Sequence, residues 1–300
     1  GGTITVSGEW DADNDDEFTP TGGTVVMDGS SNVGLYLHSS SNFYNLTISN
    51  TSGDVHPYNT VDVNGDLTIS SGADLDIDES AENITIGGSF SNSGTLTSSG
   101  ETITFDGSGD KTCSAIINTN LDVVVSKSSS GSVTFTGTCS FDEFSVSDGK
   151  AAIGSNTITC DNTVSIADGK TLEIGTGTFN SDATFNANTS GIVDFTGAGK
   201  LILSSSVSSL GALDEADGTV EYDGADEQTI FSDTYYNLEL DGDGSGNKTA
   251  GGTVDVNGTF TVTASCERYR TAGYTTTVSG ATDINSELKL NNASGVFDAN

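Results

Sequence analysis

Apolar residues recur at every second position in many short segments of this chain, and turn-forming residues separate the segments. The clearest pairs are Ile4 and Val6, Leu46 and Ile48, Leu67 and Ile69, Ile84 and Ile86, and Ile103 and Phe105. A period of two is typical of a β-strand with one buried face. No segment keeps a 3.6-residue period, and Ala, Leu, Lys and Arg are too few for helices. We therefore predict an all-β chain that is nearly free of helix.

One module recurs along the chain, and each copy opens with a strand that ends in Asp-Gly. The three clear openings are the segments GTVVMDG, ETITFDG and GTVEYDG, which start at residues 23, 101 and 218, and a fainter one starts at residue 191. Each clear copy later reaches the pattern apolar-x-apolar-x-Gly-x-apolar-x-apolar, as in VDVNGDLTI from residue 61. A shorter repeat also occurs, since FSVSDGK at residue 144 returns as VSIADGK at residue 164.

Repeats of about 20 residues with two or three short strands each are typical of the coils of a parallel β-helix. The sequence therefore predicts one continuous β-solenoid over residues 1–300, with coils of about 20–23 residues and module copies starting near residues 22, 101, 191 and 218. Tandem β-sandwich domains are the alternative architecture. Sandwiches usually bury many aromatic residues and a Trp, whereas the single Trp of this chain is Trp10, near its start.

The formal net charge is −34, from 43 acidic and 9 basic residues. Nucleic acid is excluded as a predicted partner, because binding it requires Lys and Arg to displace counterions. An anionic membrane surface is excluded for the same reason. No stretch of the sequence is long and apolar enough to insert into a membrane. The acidic residues form either a solvated coat that keeps the protein soluble or, in part, sites for divalent cations.

The segments FYNLTIS, VDVNGDLTI and ETITFDGSG resemble the repeats of very large surface proteins and adhesins of bacteria and archaea, which are similar to filamentous-haemagglutinin-type β-solenoids. The resemblance covers most of residues 22–300. It implies secretion, display on the cell surface and an adhesive or scaffold role, with surface glycans as possible ligands. It supplies no catalytic residues.

The four cysteines form no CxxC pair and lie near no His, which excludes the common zinc and thioredoxin patterns. Cys139 takes the place of Leu67 and Phe260 in the other copies, and Cys160 shares the strand face of Ile158. One interpretation treats them as small core residues. The other predicts a Cys139–Cys160 disulfide between neighbouring coils, since stacked inward positions lie about 5 Å apart.

Two acidic segments resemble calcium loops. Asp11, Asp13 and Asp15 place oxygen ligands at alternate positions, and Asp241, Asp243 and Ser245 resemble the first half of an EF-hand loop. Position 12 of the second loop is Gly252 rather than Glu. Two interpretations of these segments stay open: each is either a calcium site or a solvated acidic turn. No other cofactor is expected.

Seven Asn-x-Ser/Thr sequons are candidate glycosylation sites, although a chain so rich in Ser and Thr contains about this number by chance. They are Asn45, Asn50, Asn83, Asn188, Asn247, Asn257 and Asn292.

The predicted function is non-catalytic: a structural subunit of an extracellular filament or adhesin. Strand-like sequence runs to both ends, so copies are expected to associate head to tail through residues near 1–10 and 285–300. The alternatives are a segment of one long adhesin, and a β-helix polysaccharide-active enzyme or carbohydrate-binding module. An enzyme would need a paired acid and base, yet no carboxylate cluster stands out from the acidic background. His38 and His56 lack a recognisable nucleophile and orienting group.

Overall fold

The computed structural model describes residues 1–12, 17–78, 83–128, 130–292 and 294–299, and the chain divides into two compact units, residues 1–151 and 152–300. The described residues form strands and turns, with no helix among them. Each unit is a parallel β-solenoid, and the two contain about 14 turns in total. The predicted fold class is confirmed, and the β-sandwich alternative is wrong because the strands pair in parallel rather than antiparallel.

Nineteen strands begin in the described part of the first unit. They are β1 (Thr3–Val6), β2 (Trp10–Ala12), β3 (Thr24–Met27), β4 (Val33–Leu37), β5 (Asn45–Ile48), β6 (Asp54–Pro57), β7 (Val61–Val63), β8 (Leu67–Ile69), β9 (Asp74–Asp76), β10 (Ile84–Ile86), β11 (Phe90–Asn92), β12 (Thr95–Thr97), β13 (Thr102–Phe105), β14 (Lys111–Cys113), β15 (Asp122–Ser126), β16 (Ser132–Phe135), β17 (Cys139–Phe141), β18 (Phe144–Asp148) and β19 (Lys150–Ala152).

Seventeen of these strands stack into three faces. One face has the order β1-β3-β5-β8-β11-β14-β16, a second has β7-β10-β13-β15-β18, and a third has β2-β4-β6-β9-β12. Alternate residues of each strand point inward, as the period of two predicts. On the first face the inward residues form a ladder in which Leu46 pairs with Leu67, Leu67 with Phe90 and Phe90 with Cys113. All four are buried, so this apolar ladder is the core of the unit.

Twenty-one strands lie in the described part of the second unit. They are β20 (Thr157–Cys160), β21 (Val164–Ile166), β22 (Thr171–Ile174), β23 (Thr178–Ser181), β24 (Phe185–Asn186), β25 (Ile192–Phe195), β26 (Lys200–Leu203), β27 (Val207–Ser209), β28 (Ala212–Asp214), β29 (Thr219–Tyr222), β30 (Gln228–Ile230), β31 (Thr234–Tyr235), β32 (Asn237–Leu240), β33 (Asn247–Ala250), β34 (Val254–Val256), β35 (Phe260–Val262), β36 (Arg268–Arg270), β37 (Thr275–Val278), β38 (Thr282–Ile284), β39 (Glu287–Lys289) and β40 (Val296–Ala299).

Within the second unit the longest stack is β20-β23-β26-β29-β32-β35-β38. The other faces contain β21-β24-β27, β22-β25-β28, β30-β33-β36-β39 and β31-β34-β37-β40. Coil length varies more than the sequence predicted. The shortest paired step joins Thr219 to Asn237, 18 residues later, and in the first unit the longest joins Trp10 to Leu35, 25 residues later.

The module motif with a central glycine turns the chain around a corner between two faces. In the first copy Gly65 lies between β7 and β8, and in the second copy Gly137 lies between β16 and β17. The first copy enters the face that contains β8, whereas the second leaves that same face after β16. Copies of the same motif therefore form different corners of the coil.

Corner glycines also let neighbouring coils approach closely. A Cβ added at Gly107 would lie only 2.3 Å from the carbonyl oxygen of Gly87 in the preceding coil. That distance is far below van der Waals contact, so a glycine is required where the Asp-Gly segment of the second module copy leaves β13.

Candidate functional site

The outermost strands of the first unit each pair on one side only among the described residues. Strand β1 pairs with β3, and β2 pairs with β4. Ile4 of β1 is 47% exposed, although Val25, its partner on β3, is buried. A groove of about 190 Å³ runs beside this strand and is lined by Ile4, Phe18, Pro20, Val25, Tyr44 and neighbouring residues. The edge is therefore open and partly apolar.

The backbone of β1 points alternately towards β3 and away from it. The carbonyls of Gly2 and Val6 accept hydrogen bonds from Thr24 and Asp28 in the next coil. In a parallel ladder the N–H and C=O of one residue point to the same side. Thr3 and Thr5 therefore direct their backbone groups to the open side, where another strand could pair.

The last strands of the second unit are also edges within the described residues. Strands β38, β39 and β40 pair with β35, β36 and β37 respectively. Val296 is 46% exposed and Leu290 is 56% exposed, while the ring of Phe297 lies 5.5 Å from that of Phe260. The Val296 N–H donates to the Tyr274 carbonyl, so by alternation Phe297 directs its backbone groups outward.

An acidic cluster forms on one face of the second unit. Glu221, Glu239 and Asp241 each place one carboxylate oxygen within 4.8 Å of the others. Lys200 already neutralises part of it, with Nζ 2.7 Å from Glu221 and 2.8 Å from Glu239. Burial raises the pKa of Glu221, which is 7% exposed, and the ion pair with Lys200 opposes this rise. Asp241 also accepts a 2.6 Å hydrogen bond from the Thr263 hydroxyl.

The structure separates the residues of the second predicted calcium loop. Asp241 faces the acidic cluster, whereas Asp243 accepts hydrogen bonds from the Ser245 hydroxyl at 2.6 Å and from its backbone N–H at 3.1 Å. These two hydrogen bonds lower the pKa of Asp243. In the first predicted loop, Asp11 lies beside Tyr36 of the next coil, and Asp13 and Asp15 lie outside the described residues. Calcium binding stays a prediction.

A polar and aromatic patch on the first unit was missed by the sequence analysis. Its residues are Asp54, His56 and Tyr58, at alternate positions on and just after β6, together with Tyr36 on β4. His56 Nδ1 lies 3.0 Å from Asp54 Oδ1, and its Nε2 lies 3.0 Å from the Tyr58 hydroxyl. The rings of Tyr58 and Tyr36 stack at 4.4 Å with an angle of 7° between their planes. The statement that His56 lacks an orienting group is therefore wrong.

Carboxylates of the next coil lie beside this patch. Asp54 pairs in register with Asp74 of β9, and Asp76 and Asp78 follow at alternate positions. A hydrogen bond with the carboxylate of Asp76 raises the pKa of Asp78, and burial raises that of Asp74. Alternation along the segment DVHPY could have indicated this patch, because residues 54, 56 and 58 share one strand face.

The four cysteines are buried free thiols. The Cys139–Cys160 disulfide stays a prediction. The thiol that interacts directly with Cys139 is that of Cys113. Variable coil length and the corners bring these two residues together from different faces. Cys113 lies in the apolar ladder, as the core interpretation expects.

The sequons differ in accessibility. Asn83, Asn188, Asn257 and Asn292 are exposed, and Asn45 is half-buried. Asn50 is fully buried and donates its Nδ2 hydrogen bond to the Ser31 carbonyl at 2.6 Å. Asn247 is 8% exposed and donates to Glu227. The folded chain therefore cannot present Asn50 or Asn247 to a glycosylating enzyme.

Comparisons with protein-family models, with curated proteins and with solved structures found no significant match for this chain. Among the described residues, no helix has the length and apolar character that crossing a membrane requires.

Proposed function

We propose that this chain is a non-catalytic structural element of an extracellular, cell-surface filament or adhesin, and that copies of it associate end to end by strand pairing. The observation that carries the proposal is the set of strands that pair on one side only among the described residues, β1 and β2 in the first unit and β38, β39 and β40 in the second. A parallel ladder continues wherever a further strand meets such an edge, because backbone N–H and C=O groups are then satisfied.

Charge supports the same proposal. With a net charge of −34, the sides of neighbouring solenoids repel each other, and lateral aggregation is disfavoured. The edge strands instead carry the exposed apolar side chains of Ile4 and Val296, and the exposed Leu290 directly follows β39. Contact between unlike ends is heterologous and open, so it produces a filament rather than a closed ring.

A strand from an adjoining segment of the same polypeptide could satisfy these edges equally well. In that case the chain is one stretch of a long adhesin. Intact mass measurement of the native fibre distinguishes the two: a discrete species of 30.6 kDa supports a separate subunit, and a much longer continuous polypeptide contradicts it.

A substitution at Thr5 tests the junction itself. Thr5→Pro removes an N–H that points to the open side of β1 and leaves the ladder with β3 intact. Thr5→Val keeps the N–H and is the matched control. We expect Thr5→Pro to abolish polymerisation, seen by electron microscopy and light scattering, with an unchanged β-type circular dichroism spectrum. Deleting residues 1–10 should have the same effect. Filaments that persist in Thr5→Pro contradict the junction.

The patch of Asp54, His56, Tyr58 and Tyr36 favours a second candidate function, binding of carbohydrate. Tyrosine rings provide apolar faces for sugar C–H groups, and the Asp–His–Tyr chain provides hydrogen-bonding groups for hydroxyls. The acidic surroundings disfavour anionic polymers and favour neutral or amino-sugar polymers.

Calorimetric titration with soluble polysaccharides tests this second function. Tyr58→Ala should reduce affinity at least about tenfold, whereas Tyr44→Ala, which removes an exposed ring elsewhere on the unit, should not. If the two variants bind polysaccharide equally well, the patch is not the carbohydrate-binding site. Release of reducing ends during the titration would indicate hydrolysis and contradict the non-catalytic assignment.

A further inference from the structure

Two of the four cysteines meet inside the first unit. The Cys113 thiol donates to the Ser114 carbonyl oxygen at 3.3 Å, and the Cys139 sulfur lies 3.8 Å from the same oxygen. The two thiols are therefore neighbours across one carbonyl oxygen, and each perturbs the pKa of the other. Cys113 is 0% exposed and Cys139 is 1% exposed, so the pair is enclosed by the core.

The two cysteines lie close together because each is next to a corner of its coil. Cys113 ends β14, after which the chain turns. Cys139 begins β17, and the bridge between Ile117 and Ser140 places Cys139 beside Ile116 of the preceding coil. The Ile116 N–H accordingly points at the Cys139 sulfur, 3.5 Å away. Cys113 and Cys139 thus approach from two faces of neighbouring coils, across one corner.

The remaining cysteines have different surroundings. The Cys160 sulfur lies 3.7 Å from the carbonyl oxygens of Asn162 and Thr163. Cys266 lies beside the ammonium of Lys248, which opposes the rise that burial causes in the pKa of its thiol. Both belong to the second unit, so they provide internal controls for the pair in the first unit.

The two thiols of the pair are not equivalent. Burial raises the pKa of Cys113 well above its usual range. Interaction with the Cys113 thiol, together with the hydrogen bond from the Ile116 N–H, lowers the pKa of Cys139. Within the folded pair, Cys139 is therefore the sulfur that ionises first.

We propose that Cys113 and Cys139 form an intrachain disulfide that staples neighbouring coils when the chain folds in the presence of a small-molecule disulfide such as oxidised glutathione. During folding, before the core closes, one cysteine of the pair loses its proton, and its thiolate attacks one sulfur of the oxidant, breaks its S–S bond and releases one thiolate. The other cysteine then loses its proton and attacks the protein sulfur of the mixed disulfide, which releases the second thiolate. Two protein thiols are oxidised and one oxidant molecule is reduced to two thiolates, which take up the two protons that the cysteines lose.

The staple should stabilise the unit by restricting the unfolded chain. The two cysteines are 26 positions apart, which is about one coil. Closing a loop of that size is expected to raise the melting temperature by roughly 5 °C relative to the reduced chain.

The experiment is refolding of the full chain in a glutathione redox buffer, followed by intact mass measurement and peptide mapping without reduction. We expect a loss of about 2 Da and a single linked peptide that contains residues 113 and 139. Cys113→Ser and Cys139→Ser should each abolish the mass change and the sensitivity of the melting temperature to reductant. Cys160→Ser and Cys266→Ser should retain both.

Four free thiols after oxidative refolding would overturn the proposal, and so would a link between Cys139 and Cys160. Mapping of the wild-type chain gives this answer even if a serine variant fails to fold. Because the assay uses monomeric refolded protein, its outcome is independent of filament formation.

Discussion

The largest aromatic clusters that the two units bury differ in chemistry. In the first unit Phe135, Phe141 and Phe144 form a triangle with ring centroids 5.8–5.9 Å apart. In the second unit the largest fully buried rings include Tyr222, Tyr235 and Tyr269. The first cluster interacts through dispersion and desolvation alone, whereas the second must also satisfy its hydroxyl groups.

The hydroxyls of Tyr222 and Tyr235 are satisfied by hydrogen bonds to the backbone of one turn, at Phe231. Tyr235 donates to the Phe231 carbonyl at 2.9 Å, and the Phe231 N–H donates to the Tyr222 oxygen at 3.2 Å. Since the single hydroxyl proton of Tyr235 is used, Tyr222 donates to Tyr235 across 3.2 Å. Tyr269 pairs with the Thr276 hydroxyl at 2.5 Å. A solenoid coil can thus be filled by apolar rings, or by phenols that also bind loop backbone.

The largest expected loss of unfolding free energy follows a substitution in the phenylalanine cluster. Phe141→Ala removes a fully buried ring from a site with two aromatic neighbours, and the cavity left behind should cost about 3–5 kcal/mol of unfolding free energy. Phe141→Leu keeps most of the volume and should cost about 1 kcal/mol. Urea unfolding followed by circular dichroism measures both. Equal, small effects would mean that the triangle is not tightly packed.

Alkaline pH should distinguish the tyrosine core from the phenylalanine core. Burial raises the pKa of Tyr222 and of Tyr269 to about 12 and that of Tyr235 well above its usual range. A phenol with a raised folded pKa stabilises the fold fully below pH 10, and that stability is lost as pH rises through 10 towards 12. For Tyr222 the loss should approach about 2–3 kcal/mol.

Urea unfolding between pH 8 and pH 11.5 tests this expectation. Tyr222→Phe should be about 1 kcal/mol less stable at pH 8, because the Phe231 N–H loses its acceptor, yet should lose less stability at high pH. Identical pH profiles for the variant and the wild type would refute the buried-phenol explanation. The wild-type profile also contains an opposing contribution from buried lysines, so the difference between the two proteins is the informative quantity.

Buried lysines extend the comparison between the units. Lys127 in the first unit and Lys248 in the second are both 0% exposed, and burial lowers the pKa of each. Lys127 Nζ donates to the Gly87 carbonyl at 3.2 Å. Lys248 Nζ donates to the Gly224 carbonyl at 2.5 Å and to Gln228 Oε1 at 2.6 Å. The second unit again has the more extensive polar network.

Substituting the two lysines by methionine should therefore have unequal effects. Lys248→Met removes the donor from two buried acceptors and should cost about 2–3 kcal/mol, while Lys127→Met should cost about 1 kcal/mol. Urea midpoints at pH 7 provide the measurement. A Lys127→Met variant that is the less stable of the two would show that the number of acceptors does not determine the cost.

Local alternation was sufficient to predict the strands and most of the apolar core, because a strand fixes side-chain direction with a period of two. The contacts between coils were not predictable in the same way. Steps of 18 residues at Thr219 and 25 at Trp10 mean that no single repeat length fixes which residues stack. For this reason the sequence did not indicate that Cys139 lies beside Cys113. The burial of Lys127 and Lys248 was also missed, because their acceptors are contributed by other coils.

The smallest expected effect is the change in melting temperature that calcium causes. Its response to substitution shows whether calcium binds the loop predicted from the sequence, with Asp243 and Ser245, or the acidic cluster seen in the structure. With a dissociation constant near about 1 mM, as in many extracellular sites, 5 mM calcium would add only about 1 kcal/mol, a rise in melting temperature of roughly 2 °C. The acidic cluster of Glu221, Glu239 and Asp241 already holds Lys200, so calcium must compete with an ammonium group. Lys200→Met should therefore lower stability without calcium and enlarge the calcium-dependent rise. Asp243→Ala should leave that rise unchanged, because Asp243 is engaged with Ser245.

If Asp243→Ala instead abolishes the calcium response while Lys200→Met leaves it unaltered, the ligands are those of the loop that the sequence predicts and the cluster binds no cation. Melting curves with calcium, with magnesium at equal ionic strength and with a chelator distinguish these outcomes.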